Sequence, residues 1–411
     1  MTLTPSPRSA PTPLVVVVTP MPESAVTDSP PSGVALYSAS LLATYSGDTD
    51  VAVLAQRQCV RSSLAPRVTV IPTWRPGYAG VWDVVSTLRR LRPRVIHLQH
   101  ELRLYGGIMP TLALVFCLNW FRWRNAHVVI TLHGVPRLDD VASQHLLPTF
   151  LGSAWLAQPL MASYLRLVLC SCDSAVVLSD VFRRRLLSLF PAKHTKVHVV
   201  PLGVRREQAP VRRGRTAVPK CPPHALAFGF LTSYKSPELI LDACELGLLD
   251  DFQVTLSVAS NPRAAGRSMA LRHRALRARA SRLPQVTWRE FLSDTELAHL
   301  LRMANVLILP YTACVAASGV AAMAEDANLP IAYSKPLEEL FGRTRASFEL
   351  TPYSLAVAVR AAARGDVEID TPHASWAEVA QATVALWPGT HMESPGPSGS
   401  PAHHASTEPT P

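Results

Sequence analysis

The chain lacks the glycine-rich cradles with which many α/β proteins hold phosphate. No GxGxxG follows its first apolar strand, and no GxxxxGK[ST] occurs anywhere in it. A conventional nicotinamide enzyme and a P-loop NTPase are thereby set aside. Cysteine is sparse. The seven, Cys59, Cys117, Cys170, Cys172, Cys221, Cys244 and Cys314, are odd in number, scattered and without a CxxC pair. They form no disulfide framework and read as reduced, buried thiols of a cytoplasmic chain. Cys170 and Cys172 lie two apart with no second pair, so a metal site is not expected there. No short-period repeat is present, which excludes solenoids and propellers. No aromatic-interleaved basic strand or recognition helix is evident, so nucleic acid is not an expected partner.

Long hydrophobic runs are missing too. The first, Leu14 to Thr19, follows a Pro/Ser segment and precedes Pro20 and Pro22, so it reads as a strand rather than a signal sequence. Met109 to Trp120 is too short to span a bilayer core of roughly 30 Å. It reads as a buried helix, with a place on a membrane surface as the alternative.

What is present is a large interior and an excess of arginine. The 411 residues are 48% apolar and 17% charged, with a net charge of +10. That length predicts two domains of roughly 150–200 residues each. The charge suits phosphate esters, lipid headgroups or nucleic acid, or is simply a solvated basic surface. Arg89, Arg90, Arg92, Arg94, Arg122, Arg124 and Arg183 to Arg185 all fall in the first half. On a face shared with the 109–120 helix they would favour peripheral contact at the inner face of a membrane.

Short β-favouring runs alternate with helical patterns, the signature of doubly wound parallel sheets. The organisation expected is a disordered tail over 1–13, an acceptor-side Rossmann-like domain over 14–204 and a linker over 205–223. A second Rossmann-like domain over 224–388 and a disordered tail over 389–411 complete it. In such sheets ligands lie beyond the strand carboxyl ends, beside helix N-termini that favour anions.

Candidate residues cluster at those ends. Gly33 opens the first helix, where a glycine admits close approach or simply makes a turn. His97, Gln99, His100 and Glu101 end one strand; alternation puts His97 and Gln99 on one face and His100 on the cleft side. Gln99, His100 and Glu101 can meet acceptor hydroxyls or take a proton. His133 ends the next strand beside Gly134 and can bond a sugar hydroxyl or a developing phosphate charge. In the second half, Lys235 follows a strand and can set a compact charge on a diphosphate, with Thr232, Ser233 and Tyr234 beside it. Tyr311 and the Ser318-Gly319-Val320 helix start frame the last feature, an anion-facing N-terminus.

The segments HLQHELRLYGG at 97–107, VVITLHGV at 128–135, AVVLSD at 175–180 and VVPLGV at 199–204 resemble a GT-B glycosyltransferase of retaining family 4. FGFLTSYKS at 228–236, LILPY from 307 and SGVAAMAEDANLPI to 331 extend the resemblance over most of residues 14–345. It is closest to a subgroup built around Ser-Gly, without the family's paired glutamates. Those would stand near Val315 and Met323; an arginine that often precedes the lysine is Phe230, and the usual late glycine is Asn328. The resemblance implies two Rossmann-like lobes with the donor in the cleft. His133 would contact the donor sugar or its phosphate, and Lys235 the diphosphate. Gly33 would leave room for that group, while Ser318 and Gly319 would offer donors. The acceptor would enter past Gln99, His100 and Glu101. The activity implied is transfer of a sugar from a nucleotide sugar to a hydroxyl acceptor, with retention and no metal cofactor. The acceptor could be lipid-linked. The alternatives are an inactive GT-B scaffold, motivated by Val315 and Met323, and a sugar-nucleotide epimerase.

Overall fold

The computed structural model describes residues 14–22, 32–143, 154–204, 222–259, 267–290, 292–365 and 374–391. The N-terminal lobe runs β1 (Val15–Val18), α1 (Gly33–Ala43), β2 (Val51–Gln56), β3 (Ser62–Ala65), β4 (Val68–Trp74), α2 (Tyr78–Leu91) and β5 (Val95–His100). It continues with α3 (Ile108–Trp123), β6 (His127–Leu132), α4 (Asp140–Ser143), α5 (Ala154–Cys170), β7 (Ser174–Val177), α6 (Asp180–Leu189), β8 (Val197–Val199) and β9 (Gly203–Val204). The sheet order is β3-β4-β2-β1-β5-β6-β7-β8, parallel except for β3. Strand β1 is four valines, all buried, because both faces of a central parallel strand are covered by helices.

The C-terminal lobe repeats the plan with β10 (His224–Phe230), α7 (Glu238–Glu245), β11 (Gln253–Ala259), α8 (Arg267–Ala280), β12 (Val286–Arg289) and α9 (Asp294–Met303). Then come β13 (Val306–Leu309), α10 (Gly319–Asp326), β14 (Ile331–Ser334), α11 (Glu338–Phe341), β15 (Ser347–Phe348) and α12 (Pro352–Arg364). The last elements are β16 (Ala374–Ser375) and α13 (Trp376–Val384). Its strands, in the order β12-β11-β10-β13-β14-β15, are all parallel, and the order reverses between β10 and β13. Local chemistry sets the helix ends. Ser293 and Glu296 form a capping box at α9, and Thr351 with Pro352 opens α12. Asn328, just past α10, has φ of 49°, the left-handed stop its sequence position suggests.

One boundary differs from expectation. The strand β16 pairs with β9, and α13 packs on α1, so residues 374–391 complete the N-terminal lobe. Residues 389–391, expected in the C-terminal tail, are instead held in place: His391 exchanges bonds with Asp48, and Thr390 bonds the Val384 and Trp387 carbonyls. The expected linker falls almost wholly on 205–221, and the tails on 1–13 and 392–411, outside the described residues.

The lobes touch at a charged latch. Arg185 of α6, only 12% exposed, donates to the Val135 and Cys314 carbonyls and to Glu339 Oε2 at 2.7 Å. Arg137 holds the other carboxylate oxygen at 2.7 Å. Together they hold the Glu339 carboxyl below its ordinary range, against the opposing pull of burial. Glu339→Gln is expected to weaken lobe docking by ~1–2 kcal/mol, less than for a fully buried pair because Glu339 keeps water contact. Small-angle scattering should show a larger radius of gyration; an unchanged radius would leave the α13 crossing as the clamp.

Candidate functional site

On the N-terminal lobe, β5 and β6 bring a buried polar chain to their carboxyl ends. His133 Nε2 lies 2.8 Å from Gln99 Oε1, and Gln99 Nε2 is 3.3 Å from His97 Nε2. His97 Nε2 is 2.8 Å from Thr131 Oγ1, and the indole N–H of Trp387 donates to His97 Nδ1 at 3.3 Å. An indole only donates, so His97 Nδ1 accepts and its Nε2 carries the proton that Thr131 receives. Burial drives the His97 imidazole down to about 3. It drives His133 to about 3, with His100 and His97 adding, and His100 to about 4. All three are neutral at pH 7. Gln99 holds Nε2 of the neutral His133 ring, which leaves Nδ1 to a ligand. Tyr37 of α1 braces the His133 ring edge-on at 4.8 Å, and Trp376 of α13 braces Tyr37 in turn.

Glu101 lies just past β5. It keeps solvent contact, yet the surrounding walls desolvate its carboxyl enough to raise its pKa. That combination marks a group inside a cleft. Its charge is felt across the gap by Tyr234 of the C-terminal lobe, whose phenol is raised chiefly by burial. Gly33 starts α1 under an N-cap from Ser32, and a Cβ there would meet no described atom within 4 Å. Packing among the described residues therefore does not demand glycine at 33. Gly134 differs: a Cβ would stand 2.6 Å from the Val315 carbonyl, where its backbone bridges to Ala316 of the facing lobe.

The C-terminal lobe answers with positive charge. Lys235 bridges to Tyr311, and its ammonium lies 5.2 Å from the Tyr311 ring centroid. Among the described residues no carboxylate forms an ion pair with it. Gly229, at φ of 120°, leaves room for this group: an added Cβ would stand 3.1 Å from Lys235 Nζ and 3.2 Å from Val320. Val320 belongs to the first turn of α10, whose N-cap Ser318 accepts from the Ala321 N–H at 3.2 Å. The Gly319 and Val320 amides precede the first intrahelical bonds and so remain donors toward an anion. Tyr311 OH is 3.5 Å from Ser318 Oγ, which joins the lysine side of the site to the helix start. Among the described residues no cluster of three His, Cys, Asp or Glu side chains could hold a metal ion.

Residues 33–208 match the family model described as Glycosyltransferase Family 4. The fold is GT-B. A trehalose-phosphate synthase from Burkholderia xenovorans, solved with glucose-6-phosphate, superposes with a TM-score of 0.61 at 13% identity, over 91% of this chain and 96% of that one. A sucrose-phosphate synthase from Thermosynechococcus elongatus gives 0.62 at 15% identity, over 91% and 98%. Anabaena HepE, solved with UDP and glucose, gives 0.59 at 13%, over 91% and 98%. No curated protein matches the chain by sequence.

Within this GT-B cleft the expected residues divide. Lys235, Tyr311, Ser318, Gly319 and Val320 come together, with Tyr234 packed on Tyr311 at 5.6 Å. Thr232 and Ser233 lie in the same loop; Thr232 and Lys235 give their backbone carbonyls to Arg272, which Glu238 holds through two oxygens. Gln99 and His100 do not meet an acceptor as expected. Gln99 is fully buried in the histidine chain, and His100 Nε2 lies 2.5 Å from Tyr164 OH beneath α5. Of the three acceptor-side residues only Glu101 keeps solvent contact. Trp387, Tyr164, Arg272 and the Arg185–Glu339 latch escaped the sequence reading, since each acts across more than 30 residues of chain.

Proposed function

We propose that the protein is a glycosyltransferase that moves a sugar from a nucleotide-sugar donor to a hydroxyl acceptor, with retention and without a metal cofactor, in the cytoplasm. The observation that carries this is the Lys235 ammonium, without an ion-pair partner among the described residues, beside the α10 N-terminus and across a lobe contact from His133. Bond breaking at the anomeric carbon leaves charge on the departing diphosphate. Lys235 and the Gly319 and Val320 amides stabilise that charge without reorganisation, the work a metal would otherwise do. His133 is neutral, so it adds no charge; its Nδ1 hydrogen-bonds a donor-sugar hydroxyl and holds the ring in place. The raised Glu101 carboxyl faces the acceptor side, where it can receive the attacking hydroxyl's proton. That the structures solved with UDP share this fold favours UDP-sugars as the first donors to try.

A thermal-shift screen of nucleotide sugars tests the reading. A true donor at 100 times its Kd adds about 2.7 kcal/mol, or about 5 °C or more. No shift with any nucleotide sugar would sink it in favour of the inactive scaffold. Isomerised donor formed without acceptor would mark an epimerase instead.

A further inference from the structure

The α3 helix is apolar on two sides. Ile108, Leu114, Leu118 and Phe121 are buried against the lobe. Met109, Phe116, Trp120 and Trp123 recur at helical spacing on the opposite side, with Phe116 66% and Trp123 79% exposed. A helix apolar all round belongs in a core or in lipid, yet this one lies on the outside of the lobe. Beside it, α2 presents Tyr78, Trp82, Val85 and Arg89 along one stripe, with Trp82 66% exposed. The two stripes meet in a shallow apolar cavity of about 420 Å³ lined by Val85, Arg89, Phe116, Trp120 and Trp123.

The charge around these aromatics has one sign. Arg89 and Arg124 stack on Trp120 at 4.7 and 5.0 Å, and Arg90 and Arg92 lie at the same end. Among the described residues none of these four arginines pairs with a carboxylate. The one acid on α2 and α3, Asp83, is already neutralised by Arg57 at 3.0 Å. Soluble monomers rarely leave so large an apolar patch open without a partner. Among the described residues no helix is long and apolar enough to cross a membrane. With 16 residues, α3 is about 24 Å long, so its exposed side can lie in an interface plane.

We infer that the α2–α3 face docks the protein on an anionic lipid bilayer. Trp123, Phe116 and Trp82 enter the headgroup boundary, and the unpaired arginines meet lipid phosphates. A protein partner would also take the aromatics, but it would need to supply acids for four unpaired arginines; an anionic leaflet supplies them everywhere. The face also reaches the cleft rim. Gly77, the N-cap of α2, donates to the Tyr105 carbonyl at 2.8 Å, in the loop that carries Glu101.

Vesicle flotation of the full chain tests this independently of any transferase activity. The protein should float with phosphatidylglycerol-rich vesicles at low salt, stay down with pure phosphatidylcholine, and be released by salt. Phe116→Ser with Trp123→Ser should lower partitioning about tenfold or more. Arg89→Gln and Arg124→Gln should each lower it about fivefold. All four sites are on the surface, and an unchanged circular dichroism spectrum will show that the variants fold. Failure to float with the anionic vesicles, or equal flotation of the aromatic double variant, overturns the inference. A concentration-dependent dimer dissolved by the same substitutions would assign the face to a second copy and also overturn it.

Discussion

Lys235→Ala is expected to lower kcat/KM for the nucleotide-sugar donor by about 10²–10³-fold, the scale seen when one preorganised charge-stabilising donor is removed. Most of the loss should appear in kcat, because charge on the diphosphate grows as the glycosidic bond breaks. Lys235→Arg should not restore the rate. The ammonium is confined between the Tyr311 ring, the Gly229 backbone and Val320, and a planar guanidinium needs more room than that pocket leaves. Arg272 cannot take its place either: four of its five donors are held by Glu238 and by the Thr232 and Lys235 carbonyls. Steady-state kinetics decide the matter, and a variant within a few-fold of the parent would remove the lysine from the mechanism.

Much of this architecture was legible in the chain. Asp180–Leu189 and Asp294–Met303 start where Ser179 and Ser293 can cap them, and Val306–Leu309 is a short apolar β-favouring run, because caps and β propensity act locally. The lysine, the Ser-Gly helix start and His133 stand out in the sequence because strand carboxyl ends in parallel sheets share one side. What escaped is what distance hides. Sequence alternation correctly puts His97 and Gln99 on one face, but it cannot show that Tyr164 closes over His100 or that Trp387 reaches His97 from 290 residues away. The edge strand Ser62–Ala65 has no apolar alternation to reveal it. The helix Ala154–Cys170 carries Pro159 inside it, a residue that reads as a break.

The same buried chain predicts a marked loss of stability in acid. Three histidines, His97, His100 and His133, are held neutral by burial, with folded values of about 3, 4 and 3. In the unfolded chain each returns to about 6.5. As pH falls below that value the unfolded state takes up protons that the folded state refuses, so stability is full above about pH 7 and drains away toward pH 3–4. By pH 5 each histidine costs roughly 2 kcal/mol, about 6 in all, against a typical total of about 5–15 kcal/mol. His127, His198 and His224, lowered mainly by burial, act in the same direction. Two lobes need not unfold as one, so the observable is the midpoint of the N-terminal lobe's transition rather than a global free energy. That midpoint should drop by about 10–20 °C between pH 8 and pH 5. His97→Gln should flatten the slope by about one proton's worth. The substitution will also lower the midpoint at pH 8, because it breaks the Trp387 bond that ties the returning C-terminal segment to the site. A midpoint flat from pH 8 to pH 5 would mean that these imidazoles are open to water and protonate freely, and His133 would then become a cation in the cleft below about pH 6.5 instead of staying neutral.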